Sequence, residues 1–287
     1  MKQLCTCHYR IKRTFALFFL ALASTLFTQA QTNQAQPVFI AFTYYKTAPG
    51  KFNDYKNLVE TYSKKILDYQ IQQGNLTSWS AYEVLMPSGT SADYNIVSIT
   101  VSNKLDQLLD PPLTGPQVYA KVFPQMDSGQ IQSTMQKFGE VRSLVKREIY
   151  MPMSSTTDKN GPPVKAPTKY MEVDYMTPVA GKEAQYVKME EDTFRPIHKQ
   201  RMALNAIKGW ALIQKIMPGD TNEPYPYVTV NFYDNFDGII DAKYTEATKK
   251  AWPTQDINKI FQTINTVKKG QKNELWKLWE SDDTMGK

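Results

Sequence analysis

The sequence predicts an α+β fold made of one unit built twice, and three observations carry that prediction. Gly50-Lys51, Tyr55, Glu60, Trp79, Met86-Pro87 and Tyr94 recur as Gly181-Lys182, Tyr186, Glu191, Trp210, Met217-Pro218 and Tyr225, every pair at the same offset of 131 positions. The same succession of strand and helix signals runs through both copies. The first strand is apolar or aromatic on both faces, so both its faces need cover. A repeat of this length exceeds any solenoid unit and fits a duplicated small domain.

In the first copy, residues 37–45 read as a strand, with Phe39, Thr43 and Tyr45 alternating against Ile40, Phe42 and Tyr44. Pro49-Gly50 turns the chain into a helix. Along it Phe52, Tyr55, Val59, Tyr62, Ile66 and Tyr69 recur at three- and four-residue spacing, an apolar stripe, until Gly74 stops it. Residues 76–86 and 93–101 are β-branched and aromatic, and Pro87-Ser88-Gly89-Thr90 between them has hairpin chemistry. A second helical region spans 115–139, broken at Pro124, and 141–151 is a fourth strand.

The second copy repeats the order. Strand 169–176 leads into helix 181–204, hairpin strands 207–217 and 225–233, a helical region 241–268 interrupted at Trp252-Pro253, and a last strand 273–280. Pro196 inside the long helix removes a hydrogen bond to Asp192 and predicts a kink there. The order strand, helix, strand, strand, helix, strand is that of a ferredoxin-like unit. The predicted segments are 1–30 as a signal peptide, 37–152 as the first domain, 153–168 as a linker rich in Ser, Thr, Pro and Gly, and 169–281 as the second domain. A single four-stranded sheet covered on one side leaves its other face wet, with Phe39 and Tyr45 placed on that bare face. Two tandem βαββαβ domains whose antiparallel sheets pair into an intramolecular α/β barrel remove the problem.

This arrangement resembles the dimeric α/β-barrel superfamily. That group holds antibiotic-biosynthesis monooxygenase-like proteins, haem-degrading monooxygenases, chlorite-dismutase-like proteins and the ethyl-tert-butyl-ether-degradation group. The matching residues are Gly181-Lys182 with Tyr186, Trp210 through Pro218, and their first-copy equivalents. The chain looks most like tandem-fused, exported versions of Bacteroidetes type, near the antibiotic-biosynthesis monooxygenase-like proteins. The resemblance implies a pocket between the long helix and its sheet. Function must still be argued from a site.

Lys2, Arg10, Lys12 and Arg13 precede a nearly continuous apolar run from Phe15 to Phe27, and Thr28-Gln29-Ala30 has the small-x-small pattern of a cleavage site. The run is shorter than the roughly 20 residues needed to span a bilayer. These features predict a periplasmic or secreted protein with no stable membrane insertion after cleavage. Of 34 basic residues against 28 acidic ones, removing those four leaves 30 against 28, so no nucleic-acid partner is implied. Cys5, Cys7 and His8 leave with the same segment, so the mature chain has no thiol chemistry, and His198 is its one histidine, too few for a multi-histidine metal site.

The copies differ most along the long helix. Glu190 and Thr193 stand where the first copy has Val59 and Tyr62, and His198 where it has Leu67. Glu191, Arg195 and His198 follow at steps of four and three, which on a regular α-helix share a face. His198 reads as a general base, an axial iron ligand or an anchor for a carboxylate, oriented by Glu191 or Glu190. It also reads as a surface histidine beside an Arg195–Glu191 pair. Trp79 and Trp210, at equivalent positions, read either as packing or as platforms for a planar ligand. Glu172 and Asp174 stand where the first copy has Ala41 and Thr43, and read as an acid–base pair or as partners for Lys or Arg of the facing sheet.

The expected catalytic residues are therefore His198 and Glu191, and the expected ligand-binding set is Tyr175, Glu190, Phe194, Arg195 and Trp210. No metal is expected. No cofactor is required, haem being possible through His198. The partner is a small apolar or aromatic molecule bound in the second copy, with a cofactor-independent monooxygenase and a haem-binding protein as alternatives. The chain acts as a fused pseudo-dimeric monomer or a higher homo-oligomer.

Overall fold

The computed structural model describes residues 36–89, 91–157, 168–219 and 224–282. The signal-peptide and cleavage reading, and most of the linker reading, fall outside them.

The chain runs β1 (Phe39–Thr47), α1 (52–72), β2 (Ser78–Met86), β3 (Ile96–Ser102), α2 (Leu105–Leu109), α3 (Gly115–Val122), α4 (Ser128–Val141) and β4 (Arg142–Ser155). It then repeats as β5 (Tyr170–Pro178), α5 (183–203), β6 (Gly209–Met217), β7 (Tyr227–Tyr233), α6 (Asp237–Ile240), α7 (Tyr244–Ala251), α8 (Ile257–Val267) and β8 (Lys268–Ser281). The second helical region of each half is thus broken into short helices and not carried by one interrupted helix. The breaks fall where Phe123-Pro124 and Trp252-Pro253 withdraw a backbone donor. A capping box then restarts the chain at α4, Asp127 accepting from the Gln130 amide at 2.8 Å and Gln130 from the Asp127 amide at 2.9 Å. Asp256 caps α8 by accepting from the Asn258 amide at 2.9 Å, without the reciprocal bond.

All strand pairings are antiparallel, in the closed order β1-β3-β2-β8-β5-β7-β6-β4. The first half contributes β4-β1-β3-β2 and the second β8-β5-β7-β6, the same order, joined through β2–β8 and β4–β6. Among the described residues every strand has a partner on both sides, so none offers an open backbone ladder to another chain.

Inside the ring lie Phe42, Tyr44, Val173, Tyr175, Val228 and Trp276 with their neighbours. Burying each such aliphatic or Phe side chain stabilises by about 1.5–3 kcal/mol. Phe39 and Tyr45 pack instead on the helix side, against Leu67, Ile71 and Tyr55. This reverses the face expected for them. β1 is apolar on both faces, so its alternation fixes two sets of side chains without saying which set points inward.

The interior also holds charge. Glu148 accepts from Lys215 at 2.7 Å, Lys146 at 3.1 Å and the Tyr150 hydroxyl at 2.9 Å. Burial raises its carboxyl, but Lys215 and Lys146 outweigh that and hold it below the usual range. Its counterpart Glu274 accepts from Lys272 at 2.7 Å, Tyr94 at 2.6 Å and the Trp276 indole at 2.8 Å. Tyr44 and Tyr175, equivalent residues, meet hydroxyl to hydroxyl at 3.2 Å between these two centres. Each half therefore brings a Lys-x-Glu-x-aromatic strand segment to one shared polar seam.

Candidate functional site

On the outer face of the second half's sheet, α5 covers β5, β6 and β7. Gly181 at φ 76° sets the chain into α5 as Gly50 at φ 75° does into α1, a left-handed conformation that favours glycine. Both long helices contain one π-turn, Val59–Ser63 and Glu190–Phe194, at the same offset of 131. Because α1 has the turn without a proline, Pro196 is not its cause. The π-turn belongs to the shared scaffold, and Pro196 sits harmlessly at the start of the helical segment Arg195–Ala203.

That turn changes which residues share a face. A π-turn inserts an extra residue into the helix, so Glu191, inside the turn, falls out of α-helical phase with His198 in the regular segment Arg195–Ala203. Glu191 and Arg195 remain half-exposed and pair with each other at 3.9 Å. His198 turns inward and is 4 % exposed. Glu191 therefore does not orient His198, and Arg195 lies outside the buried cluster. Phe194 packs into the core against Phe261. Tyr175 points into the ring interior, on the opposite side of the sheet from His198. Glu190 and Trp210 do lie with His198 on the helix side.

The His198 ring stacks flat on Trp210, centroids 4.8 Å apart and planes 8° from parallel, and meets Tyr244 edge-on at 5.9 Å. The equivalent Trp79 is held otherwise, its indole N–H donating to Asp68 at 2.9 Å. His198 Nδ1 lies 3.1 Å from Arg201 Nη1. A guanidinium only donates, so Nδ1 accepts and the ring proton sits on Nε2. Burial, and then the Arg201 charge, press the imidazole well below its usual pKa, so it is neutral.

Arg201, which the sequence reading passed over, is wholly buried. Its Nε donates to the Ala242 carbonyl at 2.8 Å, Nη1 also to Asn231 Oδ1 at 3.1 Å, and Nη2 to the Tyr233 hydroxyl at 3.4 Å. The Tyr244 ring centroid lies 4.0 Å from the guanidinium carbon. Every one of these partners is neutral. Glu172 stands one step further out, accepting from Tyr233 at 2.9 Å and Asn231 at 3.2 Å. Asn273 then links Glu172 at 3.2 Å to Asp174 at 2.7 Å. Glu172 and Asp174 thus lie under α5 and not on the seam between the two sheets, where Glu148 and Glu274 sit instead.

At the other end of this strip Glu190 is 3 % exposed within the π-turn. Burial pushes its carboxyl up to about 7, Lys268 and the Tyr186 hydroxyl ease it downward, and Asp174 pushes it up again. The Tyr186 hydroxyl, wholly buried, makes no hydrogen bond of normal geometry. In the first half the equivalent Tyr55 faces Arg142, and the position of Glu190 is the apolar Val59. A depression of about 480 Å³ lies outside Tyr244, lined by residues that include Asp241, Ala242, Lys243 and Lys249.

The arrangement can hold a planar polar molecule by stacking and hydrogen bonding, and Glu190 can exchange a proton near neutrality. It does not fit iron ligation through His198, whose Nδ1 lone pair is committed to Arg201 and whose Nε2 bears the proton. No group of three or more His, Cys, Asp or Glu side chains placed to hold a metal ion occurs among the described residues.

A protein of Lactobacillus acidophilus NCFM, provisionally named a monooxygenase, superposes with a TM-score of 0.50 at 9 % identity, over 86 % of this chain and 96 % of its own. A provisionally named monooxygenase of Fusobacterium nucleatum subsp. nucleatum gives 0.53 at 10 % identity, over 88 % and 97 %. Such neighbours belong to the dimeric α/β-barrel superfamily. The likeness is one of fold. No family model matches the chain, and no curated protein matches it.

Proposed function

We propose that the protein binds a small molecule in the helix–sheet layer of its second half. One observation supports this above all. Glu172, Asp174, Glu190, His198 and Arg201 replace Ala41, Thr43, Val59, Leu67 and Gln70 at one side of an otherwise shared scaffold. A buried set of this kind costs stability, and the first half shows that the scaffold is built without most of it. The first half is, on this reading, chiefly structural. The chain would be a tandem-fused, ferredoxin-like relative of the dimeric α/β-barrel proteins, one chain doing the work of two protomers.

Export belongs to the same proposal, resting on the basic and then apolar stretch 2–27. N-terminal sequencing of the mature protein tests it, and a chain still beginning at Met1 would contradict it. Native mass spectrometry of protein isolated from its own source tests the binding itself. A reproducible adduct lost in Arg201→Gln supports the reading, and a bare chain under all gentle conditions opposes it.

A second reading, a cofactor-independent enzyme, is favoured by Glu190. A carboxyl poised near 7 beside the buried Tyr186 hydroxyl suits general acid–base work. It moves the proton-transfer role from His198 to Glu190. Oxygen uptake or substrate proton exchange across a phenol and quinol panel should then fall at least a hundredfold in Glu190→Gln.

A further inference from the structure

Arg201 is a buried cation surrounded only by neutral groups, an expensive arrangement. Four of its five N–H donors are used, by Ala242, His198, Asn231 and Tyr233, and the Tyr233 contact at 3.4 Å is a long one. One Nη2 hydrogen is left over. No carboxylate lies within ion-pair distance of the guanidinium among the described residues; Glu172 reaches it only through Tyr233 and Asn231. The two residues covering Arg201 from outside, Ala242 and Tyr244, are also the inner wall of the 480 Å³ depression. At the rim Asp241 pairs with Lys243, and Glu246 with Lys250 at 3.1 Å, while Lys249 has no ion pair among the described residues. Lys249 therefore lines the depression, while Arg201, itself wholly buried, lies behind its wall against Ala242 and Tyr244, next to the stacked rings of His198 and Trp210.

Taking the helix–sheet layer as the binding site, we infer that its ligand is a small aromatic carboxylate, its anionic group on Arg201 and its ring beside Tyr244. The carboxylate accepts the spare Nη2 hydrogen and competes with the long Tyr233 contact. Lys249 attracts the same charge at the entrance. Charge-assisted bonds to a guanidinium out of water are the strong class of hydrogen bond, and Arg presents them where Lys or Gln would not. The first half, with Gln70 for Arg201 and Gly115 for Tyr244, offers neither the charge nor the ring.

Calorimetric titration of the purified protein with benzoate, benzamide and benzylammonium tests this directly. Benzoate should bind about tenfold or more tighter than benzamide, and benzylammonium weakest. Arg201→Gln should erase the preference while keeping benzamide binding. If that variant does not fold, the His198 ring ¹⁵N resonances of the unmodified protein serve instead, since benzoate and not benzamide should shift them. Equal binding of benzoate and benzamide overturns the carboxylate inference and leaves the small-molecule site standing. Failure of all three probes to shift any residue of the strip counts against both.

Discussion

Arg201 Nη1 donates to His198 Nδ1 at 3.1 Å, so the one histidine on this helix is held as a neutral Nε2–H ring pressed against Trp210. A ring whose lone pair is already taken by a guanidinium is a donor, not a base. The ¹⁵N spectrum should show that tautomer, with the ring still neutral at pH 6.5, where a free imidazole is half protonated. The sign for stability follows. The unfolded chain takes up a proton near pH 6.5 and the native ring does not, so stability conferred by His198 is complete above pH 6.5 and lost as pH falls below it. His198→Gln should flatten the acid limb of melting temperature against pH; an unchanged limb would contradict the assignment.

Glu190 works in the opposite direction. Its folded value of about 7 lies above its ordinary 4.5, so the native state keeps a proton that the unfolded chain gives up. Stability therefore declines as pH rises from about 4.5 to 7 and is flat beyond, a span of order 3 kcal/mol. Glu190→Gln should melt higher than the unmodified protein at pH 8 and at nearly the same temperature at pH 4. Equal melting differences at both pH values would sink the claim that this carboxyl is buried and proton-holding.

Gly238 in α6 tests the packing beneath Arg201's helix end. A Cβ there would overlap the carbonyl oxygen of Ala206, a backbone atom that cannot rotate away. Gly238→Ala should cost roughly 1–3 kcal/mol in urea unfolding, whereas Gly139→Ala, with open space around it, should not destabilise measurably.

The ring interior makes a separate prediction. Glu148→Gln leaves Lys215, Lys146 and Tyr150 without their shared carboxylate, and Glu274→Gln does the same to Lys272, Tyr94 and the Trp276 indole. Each should destabilise by about 3–5 kcal/mol in chemical denaturation. A loss under about 1 kcal/mol would show that the seam is wetter than its burial implies.

Much of the fold was legible because strand order follows from spacing and periodicity, and the offset of 131 carried Gly50, Tyr55 and Trp79 onto Gly181, Tyr186 and Trp210. The inward face of β1 was not legible, since Ile40, Phe42 and Tyr44 are no more apolar than Phe39 and Tyr45. Lys146 to Tyr150 and Lys272 to Trp276 did carry a signal for the buried seam, a repeated Lys-x-Glu-x-aromatic pattern at offset 126, but the intervening deletions hid it from a search at 131. Glu190 and His198 were visible as departures from the sister copy. The separation of His198 from Glu191 was not, because steps of four and three share a face only at 3.6 residues per turn and the π-turn at Glu190–Phe194 breaks that phase. Arg201 went unread because a Gln-to-Arg difference on a helix looks like surface variation until the backbone shows it buried.

The measurement that bears most directly on the central claim is amide chemical-shift mapping with a small aromatic fragment panel on the isotope-labelled protein. The responding residues should cluster at 172–174, 190, 198–201, 210, 231 and 242–244. Shifts confined to the first half's equivalents, at 41–43, 59, 67–70 and 79, or to the ring interior around Tyr44, Tyr94 and Tyr175, would contradict it.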